Sequence, residues 1–164
     1  MEFTSRQKSG IILVALLCSP WLLCQAWIAV GAPDETIASM PTCAENSANC
    51  AHLGGDATYR MDGEYTLTVN LSSTELWLKV EQYIENTDGH ILFEEGPLDG
   101  VGIHYVHFVE RTSFWRFPDD VSVLVSVLDD DTCGLELHSQ SRLGQSDLGV
   151  NPDRLEELYA SLIG

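Results

Sequence analysis

Hydrophobic and polar positions follow three different patterns along this chain, and each pattern predicts a different kind of element. From Ser9 to Pro33 the run SGIILVALLCSPWLLCQAWIAVGAP carries no acid or base apart from two weakly acidic thiols. A membrane span needs roughly 20 apolar residues, whereas the apolar core of a secretory signal has about 7 to 15, so residues 11–32 predict a transmembrane anchor, with a cleaved signal as the alternative. Pro20 in the middle argues against a buried soluble helix. Trp21 and Trp27 suit a membrane, Trp27 near its outer interface. Val30, Gly31 and Ala32 are small enough for signal peptidase, but Pro33 directly after them disfavours cutting there. Cys18 and Cys24 each follow a leucine rather than a small residue, which argues against lipid attachment. Arg6 and Lys8 precede the span and Asp34 and Glu35 follow it, which predicts a cytoplasmic N-terminus over 1–10 and an extracytoplasmic remainder.

Residues 33–62 lack apolar periodicity and are punctuated by Gly54 and Gly55, so they read as a polar linker that spaces a domain from the membrane. The domain is expected over 63–164, a length that accommodates one core. In EYTLTVNL, Tyr65, Leu67, Val69 and Leu71 alternate with polar residues, the signature of a half-buried strand. SSTELWLKVEQYIEN then predicts a helix: Ser72 and Glu75 form a capping box, and Leu76, Trp77, Val80, Tyr83 and Ile84 share one stripe. HILFEE, GIHYVHFVE, VSVLVSVL and CGLELHS are four further strands separated by short connectors rich in Gly, Asp and Pro, which implies an antiparallel meander. NPDRLEELYASLI closes the chain as a helix with Asn151 as N-cap, Pro152 at the first helical position, Asp153 complementing the dipole, and Leu155, Leu158, Tyr159 and Leu162 on one face. The expected class is α+β: one antiparallel sheet of about five strands with two helices on one face, preceded by the N-terminal membrane or signal helix.

Charge changes the picture of the surface. Of the 25 acids and 8 bases only Glu2, Arg6 and Lys8 precede the span, which leaves 24 acids against 6 bases, a net of 18 negative charges. Such a surface repels phosphate backbones and anionic headgroups, so no nucleic-acid partner is expected. Dense carboxylates with only two lysines in the chain, Lys8 and Lys79, also suit a salty medium that screens them. Cysteine usage agrees with export: Cys43 and Cys50 enclose AENSAN, and in an oxidising compartment that spacing most simply gives a disulfide. A zinc site would want a second ligand pair, and Cys133 with His138 offers no recognised spacing. Cys133 alternates with Leu135 and Leu137, as a buried thiol does.

The most distinctive stretch is SQSRLGQSDLGVN, Ser139 to Asn151, which joins a strand to the last helix. Gly144 and Gly149 permit positive φ there, and Ser141, Ser146 and Asp147 can bond nearby amides. With Arg154 in the following helix, this stretch resembles the hallmark of the bacterial family known as domain of unknown function 1499. A second block, TSFWRFPDDVSV, places Phe117, Asp119, Asp120 and Val121 where that family has F-x-D-D-V. The resemblance runs from about Cys43 to the C-terminus. It departs where the family has Pro-Asn-Cys-Val-Ser-Ser: Asn49 and Cys50 match, but Ala48 replaces the proline and Ala51, His52 and Leu53 replace Val-Ser-Ser. The family has no established activity, so the resemblance implies an envelope domain and lends no mechanism.

Enzymatic chemistry must therefore stand on the residues. GQSDLG is close to a nucleophile elbow, but Gly149 falls one place too late for G-x-S-x-G. His104 and His107, three apart on a strand, point to opposite faces and cannot share an ion without a bulge. His138 follows Glu136 on what reads as a solvated face, and His52 and His90 have no evident partners. Asp129, Asp130 and Asp131 read as a turn and lack the spacing of a calcium loop. No metal ion and no cofactor is expected. What remains is a polar cluster. Asp119 and Asp120 open one strand while Ser139, Ser141 and Arg142 leave its antiparallel neighbour, so the two motifs should meet, with Arg142 paired to Asp119 or Asp120. The expected function is a membrane-anchored envelope domain, non-catalytic, that binds a small molecule, a lipid or an envelope protein, or acts as a scaffold. The alternative is a hydrolase built on Asp119, Asp120, Ser141 and Arg142.

Overall fold

The uncharged run forms one helix, α1 (Ser5–Gly31), opened by a capping box between Thr4 and Gln7. At about 1.5 Å per residue its 27 residues measure roughly 40 Å, and it is long and apolar enough to cross a membrane. Pro20 lies inside it without ending it. This computed structural model describes residues 4–55, 58–96 and 102–164.

The described residues beyond α1 form a six-stranded antiparallel sheet with two more helices: β1 (Cys50–Leu53), β2 (Thr68–Val69), α2 (Ser73–Asn86), β3 (His90–Glu95), β4 (Ile103–Arg111), β5 (Pro118–Asp129), β6 (Thr132–Ser141) and α3 (Val150–Ile163). The sheet order is β1-β6-β5-β4-β3, with β2 also on β6. The expected meander is therefore β3 to β6. Asp131 N donates to Asp129 Oδ1 at 3.0 Å in the tight turn between β5 and β6, which is the role expected of the acidic run. Residues 97–101, within the connector between β3 and β4, lie outside the described residues.

Two sequence expectations change here. The strand expected over EYTLTVNL pairs only at Thr68–Val69, because β1 and β2 share one edge of β6, β1 opposite 137–140 and β2 opposite 133–134. Upstream, the hydroxyl of Tyr159 stands in for a partner strand, accepting from Thr66 N at 2.8 Å and donating to Thr66 O at 3.1 Å. The larger correction concerns the stretch read as a linker. It supplies β1, all four of whose residues are buried, and its earlier part lies against the sheet: Ile37 N donates to His107 Nδ1 at 3.1 Å, and Tyr105 OH reaches Ile37 O and Ser39 O. A four-residue strand covered on both sides shows no alternation, so the pattern conceals it.

The two faces of the sheet differ in chemistry. On one, Val106, Phe108, Val121, Val123, Leu135 and Leu137 meet Leu76, Val80 and Ile84 of α2 and Leu155, Leu158 and Leu162 of α3. Each such side chain, fully buried, contributes about 1.5–3 kcal/mol. On the other face a row of paired residues runs across β1, β6, β5 and β4: His52, His138, Ser122 and His107. All four are buried. His138 was expected to be solvated and His52 unpartnered. Alternation identifies which residues share a face but not whether that face is wet, and here the segment carrying Ile37, Ser39 and Cys43 lies against it.

Candidate functional site

α3 brings an arginine onto the end of the sheet's helix-covered face. Glu110, Asp119 and Ser141 stand side by side on β4, β5 and β6. Arg154 donates from Nη2 to Asp119 Oδ2 at 2.7 Å, from Nε to Glu110 Oε2 at 2.9 Å, and from Nη1 to Ser139 Oγ and Asn151 Oδ1, both at 3.0 Å. Burial works against the guanidinium charge, but Asp119 and Glu110 outweigh it and hold the Arg154 pKa above the ordinary value.

Asn151 carries this network into the connector. Its Nδ2 donates to Ser141 Oγ at 3.0 Å, Asp147 Oδ2 at 2.7 Å and Asn49 O at 3.0 Å, while Ser139 Oγ donates to its Oδ1 at 2.6 Å. Asn151 is thus not the N-cap of α3. Gly149 takes that position at φ 95°, where Asp147 Oδ1 accepts from Gly149 N at 2.9 Å, and the helix starts two residues earlier than expected. Arg60 grips Asp147 with both ends of its fork at 2.7 and 2.9 Å. Burial opposes the Asp147 charge, but Arg60, the Gly149 amide and Asn151 more than offset it and bring the pKa down to about 2.

Asp120, one residue on, points to the opposite face. There Arg142 donates to it from Nη2 at 2.7 Å and from Nε at 3.0 and 3.1 Å, and His107 Nε2 donates to Oδ1 at 2.7 Å. The His107 tautomer follows from its partners: Nδ1 accepts from Ile37 N, so Nε2 carries the proton. Burial pushes the Asp120 pKa up, yet His107 and Arg142 together hold it below the ordinary carboxylate value. Arg142 also reaches Asp34 Oδ1 at 2.6 Å and Pro33 O at 3.0 Å, tying the exit of α1 to the sheet. The sequence left Arg142 a choice between two carboxylates, and the geometry gives it Asp120.

The connector itself arches outward. Ser146 pairs with Ala48, Asn49 Nδ2 donates to Gly144 O at 2.9 Å, Gly144 has φ 94°, and Leu148, at φ 54°, is 93% exposed. Between this arch, the loop joining β4 to β5 and the end of α1 lies a cavity of about 350 Å³, walled by Trp27, Trp115, Phe117, Leu143, Leu148 and Val150. Phe117 meets Trp27 edge-on at 6.1 Å. Asp119, Ser141 and Asp147 also touch the cavity, but Arg154 takes Asp119 Oδ2, Asn151 takes Ser141 Oγ, and Arg60, Asn151 and the Gly149 amide take both oxygens of Asp147, so the wall offers mainly carbon.

The four residues of the hydrolase alternative do not form one cluster. Asp119 and Asp120 face opposite ways, and Ser141 Oγ is held by an amide, with no histidine or lysine bonded to it among the described residues. The sequence reading missed Arg60, Asn49, Glu110, His107 and Asp34. A usable signal for the arginines existed: only six bases follow α1, and four of them, Arg60, Arg111, Arg142 and Arg154, pair with carboxylates.

The family model described as "Protein of unknown function (DUF1499)" matches residues 35–162. Its match begins well upstream of residue 63 and takes in the segment lying over the histidine-bearing face. No curated protein matches the chain.

Proposed function

The chain belongs to the DUF1499 family, and on that premise we propose that it is a membrane-anchored extracytoplasmic domain that holds the acyl chain of a lipid without catalysis. Arg6 and Lys8 ahead of α1 and the acids after it support this orientation. The observation that carries the reading is the carbon-lined cavity at the point where α1 leaves the membrane, within the usual size range of about 300–1,000 Å³ for small-molecule pockets.

Its surroundings favour a lipid over a soluble ligand. Trp21 Nε1 donates to Phe114 O at 3.1 Å and Gln25 Nε2 to Trp115 O at 2.8 Å, so the β4–β5 loop lies along the outer half of α1. With Trp27 at the outer interface, Gln25 sits about 3 Å and Trp21 about 9 Å below it, a depth that interfacial elements commonly reach. Phe114 and Trp115 are exposed on that loop, as residues of an aromatic belt are. The 18 excess negative charges disfavour anionic headgroups, which points to a neutral or zwitterionic lipid.

The test is to purify the full chain from membranes in mild detergent and count the lipid that remains bound. Leu143→Glu and Val150→Glu place charge in the cavity at positions outside the hydrophobic core. Each is expected to remove the bound lipid while leaving the melting temperature within a few degrees. Equal lipid in the variants and the parent contradicts the reading.

A further inference from the structure

We propose that Cys43, Cys50 and His138 form a zinc-class metal site that opens when a dithiol reduces the bridge between the two cysteines. The cysteines are bonded in this structure, and the ligand atoms of all three residues lie within 4.8 Å of one another. His138 Nε2 is 3.6 Å from Cys50 Sγ. With Zn–S of about 2.3 Å and Zn–N of about 2.0 Å, the sulfur–nitrogen edge of a tetrahedral site is roughly 3.5 Å, so this edge already has the right length.

The imidazole is also presented in the right tautomer. His52 Nε2 faces Gly54 O and Glu136 Oε1, both at 3.2 Å and both acceptors, so it carries a proton. His52 Nδ1 is then a lone pair and takes the proton of His138 Nδ1 at 3.2 Å. That leaves His138 Nε2 as a lone pair aimed at sulfur that has no hydrogen to offer. In the oxidised chain the His138 ring has Cys50 Sγ at 3.6 Å and the Gln140 side chain beside it, and a cation offers Nε2 a stronger partner. The chain from carboxylate through His52 to His138 is the outer-shell arrangement that orients metal-bound imidazoles.

The chemistry balances simply. A dithiol delivers two electrons and two protons to the bridge and becomes a disulfide, leaving Cys43 and Cys50 as thiols. Zn²⁺ displaces both thiol protons, takes two thiolates and His138 Nε2, and leaves a fourth position for water. Cys43 is partly exposed and admits the attacking thiolate, while Cys50 and His138 are buried.

The experiment uses the full chain in detergent with Cys18→Ala and Cys24→Ala, reduced by dithiothreitol, desalted under argon and titrated with Co²⁺. One Co²⁺ per reduced chain, with a thiolate charge-transfer band and the intense d–d bands of a tetrahedral ion, is expected, and none for the oxidised chain. His138→Gln should remove the tetrahedral spectrum, and His52→Gln should weaken binding about 10- to 100-fold with the spectrum retained. Far-UV circular dichroism establishes that each variant is folded. Co²⁺ bound equally after His138→Gln, a weak octahedral spectrum, or a bridge that dithiothreitol opens only on unfolding would each overturn the proposal.

Discussion

Asp119 and Asp120 are neighbours in the chain yet anchor opposite faces of the sheet, Asp119 to Arg154 and Asp120 to Arg142, each at 2.7 Å. A strand alternates its side chains, so a doubled aspartate at the start of β5 delivers one carboxylate to each side. Arg154 fastens α3 to the helix-covered face, and Arg142 fastens the exit of α1 to the other.

Separate networks should respond separately to mutation. Arg154→Met leaves Asp119 and Glu110 without their shared buried cation and should cost about 3–5 kcal/mol. Arg142→Lys loses the planar fork that takes both oxygens of Asp120 and should destabilise by about 1–2 kcal/mol. In double-mutant cycles by chemical unfolding, Arg142 should couple to Asp120 more strongly than to Asp119, and Arg154 the reverse. Equal coupling across all four combinations would mean the two faces are not independent.

Acid should release the connector. Asp147 has a folded-state pKa of about 2, below its unfolded value. A depressed carboxylate contributes stability that is fully present above the unfolded pKa and is lost as pH falls through the folded one. The window is therefore between pH of about 4 and 2. The contribution is on the order of 1–2 kcal/mol, because Arg60 is partly exposed and solvent screens the pair. Asp147→Asn should flatten unfolding free energy against pH in that window. An unchanged slope would show that other carboxylates dominate the acid transition.

Sodium chloride should raise the melting temperature. Beyond the first ten residues 24 acids face 6 bases, and salt screens their mutual repulsion more than it weakens the buried ion pairs. A melting temperature that is flat or falls between low and molar salt would contradict this.

The hairpins, α2 and the apolar face of α3 were legible because each shows a period. Ser72 and Glu75 marked the start of α2, and Leu155, Leu158 and Leu162 marked its partner's buried side. The encounter of the two motifs was legible from strand order alone. β1 was not, since Cys50 to Leu53 are buried on both faces and carry no alternation. His138 was misjudged for a related reason: polar residues at every second position read as a wet face, whereas here it is buried beside His52, which lay unrecognised in the stretch read as a linker. Arg60 reaches Asp147 across 87 positions of sequence, and no local pattern encodes such a pair.

The most direct test of the account is photocrosslinking in membranes containing the full chain and a zwitterionic phospholipid with a diazirine near the end of one acyl chain. Mapping by mass spectrometry should place crosslinks on the β4–β5 loop, at Trp115 or Phe117, and on the connector between Leu143 and Val150, and Val150→Glu should abolish the second group. Crosslinks confined to α1, with none on the loop or the connector, would contradict a lipid-holding cavity at the membrane surface.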